Sequence, residues 1–553
     1  MRPRPYRFAS IGVSLLLAAG VAACSSAGSS TGSASGNVTL TSSPTVESSV
    51  VKNFNPFSAT SPMVALGVVS YIYEPLLQFN DIKPGIQPWL ATKYAWSDGG
   101  KSITFTIRSG VKWSNNTSLT AADVAFSYQL AKDNPAINLQ GLDLTSVSSS
   151  GDTVTLTFPN AQYQELQNIG SVYIVPKAIW SKVGNPATYD DADPVGTGPM
   201  VVDSFTPQGI VLKKNPSYWQ ASQLKVDEVD IPIYSSDTSV QNALVAGQLD
   251  WANDFIPGVQ KVYVSKSSDN HFWGPPVYAV ALDPNLQQWP TNQLAVRQAI
   301  SLAINRPQWT AEAESGQGAA LASATGLPPT LSKFIAPSEA SAQLTENISQ
   351  AKSVLTKAGF TMGSNGYFEK GGKEVSLQII APSSFADWVE AGSLMVQSLR
   401  SAGINATFAG QSVAGWRANV AAGDFQLTPY WETLSPGITP YALYNDTLNS
   451  TLTAPIGKPA SGDFERLHSP AIDADLAKLA SAGTFSEEMA ALTPIEQYMA
   501  SELPVIPTIA DAAFDEYSTK NLVGWPDTSN PYANGVPGAM NNEVVLMHLK
   551  PRS

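Results

Sequence analysis

Cys24 is the only cysteine among 553 residues, so no internal disulfide can form and whatever this chain becomes must be held by core packing alone. Hydrophobic residues make up 43% and charged ones 14%, which is a globular composition and not that of an acidic disordered chain. About 530 residues follow the amino-terminal segment, more than one core sustains, since single cores stop growing at roughly 250–300 residues. Two or more lobes are therefore expected.

The position of that cysteine adds a second constraint. Arg2, Arg4 and Arg7 precede an apolar run from Ile11 to Ala19, and Val21-Ala22-Ala23 lead into Cys24. A charged start, a short apolar segment and small residues before a cut form a processing signal. The run is too short to cross a bilayer, which takes roughly 20 apolar residues. With cysteine first after the cut, the segment resembles a bacterial lipoprotein box, and that resemblance implies an acylated Cys24 as a membrane anchor. Residues 25 to 36 are Ser-, Gly-, Ala- and Thr-only and read as a flexible tether. Beyond residue 23 the chain carries 29 basic and 45 acidic side chains, a net charge of −16. That balance argues against nucleic acid as a partner, because such binding needs basic patches to displace counterions.

Local patterns outline the elements. Ser102–Arg108 and Thr153–Phe158 alternate strictly, putting Ile103, Phe105 and Ile107, then Val154, Leu156 and Phe158, on one face each of half-buried antiparallel strands. Thr120 with Asp123 forms an acidic variant of the capping box ahead of Val124, Tyr128 and Ala131 at helical spacing. Glu228–Tyr234 reads as a strand, Ser236-Asp237 as a helix cap, Gly247 as a stop, and Leu249–Asn253 as a second strand. Val375–Ile380, a helix with Trp388, Ala391, Met395 and Leu399 on one face, and Ile404–Phe408 repeat the scheme. Both are β-α-β crossovers, which build parallel sheets covered by helices. Two such units far apart predict two α/β lobes with a ligand cleft between them, beyond the carboxyl ends of the strands.

Longer motifs carry a family resemblance. Pro88–Tyr128 (PWLATKYAWSDGGKSITFTIRSGVKWSNNTSLTAADVAFSY) resembles the signature of family 5 solute-binding proteins of ABC importers, the oligopeptide-binding type. FNPF at Phe54–Phe57, YEPL at Tyr73–Leu76, IVPKAIW at Ile174–Trp180, PVGTGPM at Pro194–Met200, NPSYW at Asn215–Trp219 and VRQAISLAINR at Val296–Arg306 follow in the family's order. The resemblance implies a two-lobed periplasmic-binding-protein-like fold of type II, cluster C style, with an extra subdomain on lobe I. By analogy, 1–23 is a lipoprotein signal peptide and 24–37 the lipidated cysteine and tether. Lobe I takes 38–78, 190–282 and 505–553, the subdomain 79–189, and lobe II 283–504. It implies a monomeric, non-enzymatic receptor outside the cytoplasmic membrane that hands its ligand to ABC permease subunits.

The ligand is where this sequence departs from the family. In oligopeptide-binding relatives, an acid shortly after a tryptophan holds the peptide's amino terminus. Gly423–Tyr441 keeps Trp431, yet Thr433, Leu434 and Ser435 stand where that acid is expected, with Glu432 as a substitute if it faces the cleft. The stretch also resembles sugar-binding members, in which an aromatic face stacks on pyranose rings. Short oligopeptides and short oligosaccharides of cello-, manno- or xylo-type therefore both remain as ligands. The candidate ligand-binding residues are Phe54, Asn55, Trp251, Trp273, Tyr430, Trp431 and Glu432.

Other chemistry finds little support. Gly196-Thr197-Gly198-Pro199 lacks a following Walker lysine, and Pro199 removes a backbone donor, so a tight turn is expected. Trp113 is expected in the core and Arg297 in a surface or capping ion pair. Gly28-Ser29-Ser30-Thr31-Gly32 satisfies a nucleophile-elbow pattern but lies in the tether, with no strand before it. Ser222-x-x-Lys225 and Ser268-Asp269-Asn270 match two of three motifs of serine penicillin-interacting enzymes, and the third is missing. His271, His468 and His548 have no metal-ligand spacing, so neither a metal nor a cofactor is expected.

Overall fold

The computed structural model describes residues 37–58, 60–341, 344–432 and 437–553. Cys24, the signal segment, the tether and Thr433–Ser435 lie outside the described residues.

Two mixed sheets organise the chain. The first has seven strands in the order Asn270–Trp273, Asp515–Ser518, Trp251–Ala252, Thr39–Ser43, Glu228–Pro232, Gly209–Lys214, Met200–Thr206. Thr39–Ser43 runs parallel to both Glu228–Pro232 and Trp251–Ala252, so the first crossover unit straddles it. Its helix, Asp237–Val245, starts where the Ser236 hydroxyl accepts the Ser239 N–H and stops short of Gly247 at φ +68°.

The second sheet has six strands in the order Ala319–Ala320, Ile506–Ala512, Pro276–Pro284, Leu427–Trp431, Ser376–Pro382, Asn405–Gln411. Ser376–Pro382 and Asn405–Gln411 pair in parallel, and the helix Ala386–Ser401 that joins them buries Trp388, Ala391, Met395 and Leu399. The two sheets feed separate cores: Leu40, Val229 and Ile231 belong to one cluster, Val280, Leu377 and Ile379 to another. This is the two-lobed α/β arrangement that the crossover units predict.

A four-stranded antiparallel sheet, in the order Ala91–Ser97, Ser102–Ile107, Thr153–Thr157, Ser146–Ser150, shares the first core through Ile103, Phe105, Val154 and Leu156. Helix Ala121–Asp133 opens on the capping box read from the sequence, with the Thr120 N–H donating to Asp123 at 2.9 Å.

Three expectations need correction. Pro276–Pro284 and Ile506–Ala512, assigned wholly or largely to lobe I, pair with each other inside the second sheet. Both are buried along nearly their whole length, as a central strand covered on both faces must be. The chain passes between sheets at 274–275 and 513–514, where the Ala513 N–H donates to the Pro275 carbonyl at 2.9 Å. Of the surface or capping ion pair expected for Arg297, the capping position holds, but its partners are carbonyls and it is not at the surface. It is 7% exposed and donates to the carbonyls of Glu502 and Leu503, closing the carboxyl end of helix Phe485–Glu502, and to that of Thr291. A guanidinium supplies enough donors to satisfy several orphan carbonyls at once.

The Gly-Thr-Gly-Pro stretch is a close backbone crossing. A Cβ on Gly196 would lie 1.8 Å from the Ile72 carbonyl oxygen, and one on Gly198 would lie 2.5 Å from that of Tyr71. Trp113 is buried, as its alternating context implies.

Candidate functional site

The strand directions bring carboxyl ends of strands from each sheet to a common opening. Pro44 and Asn253 follow immediately on the parallel strands Thr39–Ser43 and Trp251–Ala252, and both line a cavity of about 780 Å³. The opposite wall comes from the second sheet. Leu427–Trp431 and Ile506–Ala512 both run antiparallel to Pro276–Pro284, so their carboxyl ends emerge side by side and present Trp431 and Asp511 to the cavity. Ligands in open α/β sheets lie at such carboxyl ends.

Trp431 is half-buried, its ring held 4.5 Å from that of Trp388 and 5.9 Å from Phe385. Asp511 is 5% exposed. Burial pushes its carboxyl up to about 7, and the Asp387 charge adds to this, while hydrogen bonds from the Ala512 N–H and from Trp431 pull the other way. Behind it stand two more buried acids, Asp387 pushed up to about 6 and Glu314 to about 9, both chiefly by burial. The Trp309 indole donates to Glu314 at 2.8 Å. Among the described residues, no ion pair reaches any of the three.

On the first-lobe side, burial raises the Asp81 carboxyl, which accepts the Asn534 amide at 3.1 Å. With Glu47, the described residues of the cavity wall carry three acids against one base, Arg417. Phe79, Tyr278 and Phe514 add aromatic surface, and Gln78, Asn253 and Asn534 add amides.

Of the seven candidate residues, Trp431 alone lines this cavity. Phe54 is fully buried, edge-on to Phe205 at 6.3 Å. Asn55 is fully buried too, its amide donating to the carbonyls of Pro186 and Tyr189 at 2.8 and 2.7 Å and its oxygen accepting the Phe57 N–H. Trp251 is fully buried and gives its indole N–H to Asp515 and to the Gly535 carbonyl. Trp273 joins the same core. These four hold lobe I together.

Tyr430 packs half-buried on Trp416 and Phe464, at 5.2 and 4.9 Å. Glu432 turns inward, 7% exposed, and accepts the Thr447 hydroxyl at 2.7 Å. It bonds to Asp283, and burial drives it up to about 7. Glu432, expected as a substitute only if it faces the cleft, does not line the cavity. The serine-enzyme motifs are spent locally as well: the exposed Lys225 donates to the Ser222 carbonyl at 2.6 Å, and Asp269 pairs with Arg552.

Asp511, the acid beside the tryptophan, escaped sequence reasoning because it arrives from another strand. The available signal was an acid closing Ile506–Ala510, a stretch without charge in which Thr508 is the one polar side chain.

Comparison with known proteins agrees with this architecture. The profile of "Bacterial extracellular solute-binding proteins, family 5 Middle" matches residues 85–452. The nickel-binding periplasmic protein of Escherichia coli K12 is 24% identical over 509 residues, covering 87% of this chain and 90% of that protein. The oligopeptide-binding protein of Bacillus subtilis 168 is 26% identical over 299 residues, 49% of this chain and 54% of that protein. Among solved structures, a periplasmic oligopeptide-binding protein of an ABC transporter from Thermotoga maritima superposes with a TM-score of 0.86 at 24% identity, covering 93% of this chain and 99% of that one. The same Thermotoga protein with mannohexaose bound gives 0.79 at 23% identity, with the same coverage. The chain belongs to the family 5 bacterial extracellular solute-binding proteins, the substrate-binding components of ABC importers.

Proposed function

We propose that this protein captures short oligopeptides in the interlobe cleft and delivers them to a membrane permease. The observation that carries this reading is Asp511: a buried carboxyl at the cleft wall, beside Trp431, backed by Asp387 and Glu314 and lacking a counter-cation among the described residues. A peptide's terminal ammonium supplies that cation through a charge-assisted hydrogen bond, which is roughly twice as strong as a neutral one. Arg417 offers a complementary charge for the peptide carboxylate. Cys24, acylated, tethers the receptor to the outer face of the cytoplasmic membrane in this proposal; mass spectrometry of the mature amino terminus tests that part.

A second reading, short oligosaccharides, is favoured by the aromatic faces of Trp431, Tyr278 and Phe514 set among amide side chains, the groups that suit the apolar side and the hydroxyls of a sugar. It is also the class of ligand held by the Thermotoga protein in its mannohexaose complex. Thermal-shift titration separates the two, because a ligand bound only by the folded state raises the melting temperature. Di- to pentapeptides are expected to raise it, and the same peptides with acetylated amino termini are not. A shift produced only by cello-, manno- or xylo-oligosaccharides sinks the peptide reading.

A further inference from the structure

Beside the main cleft lies a smaller cavity of about 140 Å³, walled by Phe57, Val64, Val69, Ala131, Ile137 and Val172. Ser171, Gly538 and Met540 border both spaces. The cavity is lined by Ala131 of helix Ala121–Asp133 and by segments 56–69 and 137–140, and two glycines pack against each other on its wall. A Cβ on Gly67 would sit 2.4 Å from the Gly538 Cα, so the two backbones touch where any larger residue would push them apart. At its rim, Leu139 and Met540 are 44% and 41% exposed, two of the large apolar side chains that the fold leaves uncovered. On the wall, the Asn138 amide is spent at both ends on the Leu142 backbone, donating at 2.9 Å and accepting at 3.0 Å.

We infer that this cavity is a side-chain subsite of the ligand cleft, and that it takes one branched aliphatic or aromatic side chain of the bound peptide. The inference rests on the peptide reading above and narrows it to peptides with an apolar residue at a fixed position. A dry apolar void of about 150 Å³ admits a benzene-sized ring, so the dimensions suit a leucine or phenylalanine side chain. The lining is mainly apolar, with Asn138, Gln140, Ser171 and Tyr173 as its polar residues, so sugar hydroxyls would give up more water here than the partners they gain, a cost that apolar groups do not incur. Because Ser171, Gly538 and Met540 border both spaces, the small cavity lies within reach of a side chain on a ligand held in the larger one.

Calorimetric titration of the mature protein with alanine pentapeptides, each carrying one Leu, Phe or Ser at successive positions, tests this. Leu or Phe at one position is expected to bind on the order of tenfold or more tighter than Ala, the return for burying such a side chain, and Ser no tighter. Ala131→Leu and, independently, Val64→Phe fill the cavity and should reduce the Leu-to-Ala affinity ratio to less than about twofold. The ratio is the readout, so a general weakening of binding does not imitate the result, and urea unfolding confirms that each variant folds. Peptide binding with no position-specific gain, or a gain that survives both variants, overturns the subsite while leaving the peptide reading intact. Failure of every peptide to bind overturns both.

Discussion

Trp431 and Asp511 meet at one end of the second sheet although neither of their strands pairs with the other. Their strands flank Pro276–Pro284, where Trp431 is opposite Val280 and Asp511 opposite Tyr278. Both flanking strands run antiparallel to the one between them, so both deliver their last residues to the same opening. An acid and an aromatic that the sequence separates widely thus become one composite wall of the cleft.

Replacing Trp431 with alanine should weaken ligand binding at least about tenfold, since a half-buried indole supplies much of the aromatic wall. The same change uncovers Trp388 and should cost roughly 2 kcal/mol of stability, less than full truncation of a core tryptophan. Calorimetric titration and urea unfolding read the two effects separately. An unaltered affinity places the ligand elsewhere in the cleft.

Peptide affinity should depend on pH through Asp511. Its carboxyl is pushed up to about 7, and only the ionised form pairs with an ammonium, so binding should be strong at pH 8 and fall towards about tenfold per unit as pH drops below 7. Asp511→Asn should bind weakly at pH 8 and show a flatter profile. A steep, unchanged profile in the variant would assign the titration to another group.

Stability should move the other way. Burial pushes Glu74, Asp254, Glu488 and Glu496 up to about 7 and Asp463 to about 8. Between the unfolded value near 4 and these raised values, the folded chain holds protons that the unfolded chain releases, so stability falls as pH rises through that window. His271, pushed down by burial, opposes the trend as a single group. Scanning calorimetry of the ligand-free protein is expected to give a higher melting temperature at pH 5 than at pH 8. The reverse order would mean that these carboxyls are compensated in solution.

Gly196→Ala should be severe. Its Cβ would stand 1.8 Å from the Ile72 carbonyl oxygen and 2.6 Å from its carbon, backbone atoms that cannot turn aside as a side chain does. Overpacking of this kind costs about 3 kcal/mol or more, read as a lowered urea midpoint or loss of soluble protein. A variant of native stability would show that the crossing has slack.

Much of the fold was legible because local rules suffice for it. The Thr120 and Asp123 capping box, the alternation of Ile103, Phe105 and Ile107, and the helical face of Trp388, Ala391, Met395 and Leu399 all depend on neighbours within a few residues. The site was less legible. Trp251 and Trp431 both stand in short strands of the two sheets, yet the first gives its indole N–H to Asp515 and vanishes into lobe I while the second lines the cleft. A capping role for Arg297 was legible but not its burial or which helix it closes, since its acceptors lie on a helix end two hundred residues away.

By itself the sequence determined the family, the absence of an internal disulfide, the two crossover units and the few strands and helices that they and the alternating segments mark, since periodicity and capping are written in adjacent residues. Only the tertiary structure decided which strands change lobe, which aromatics are core, and that Asp511 stands where Glu432 does not. Burial of a side chain at a cleft is set by distant segments that pack around it, and the pattern of one strand records which face is covered without recording by what.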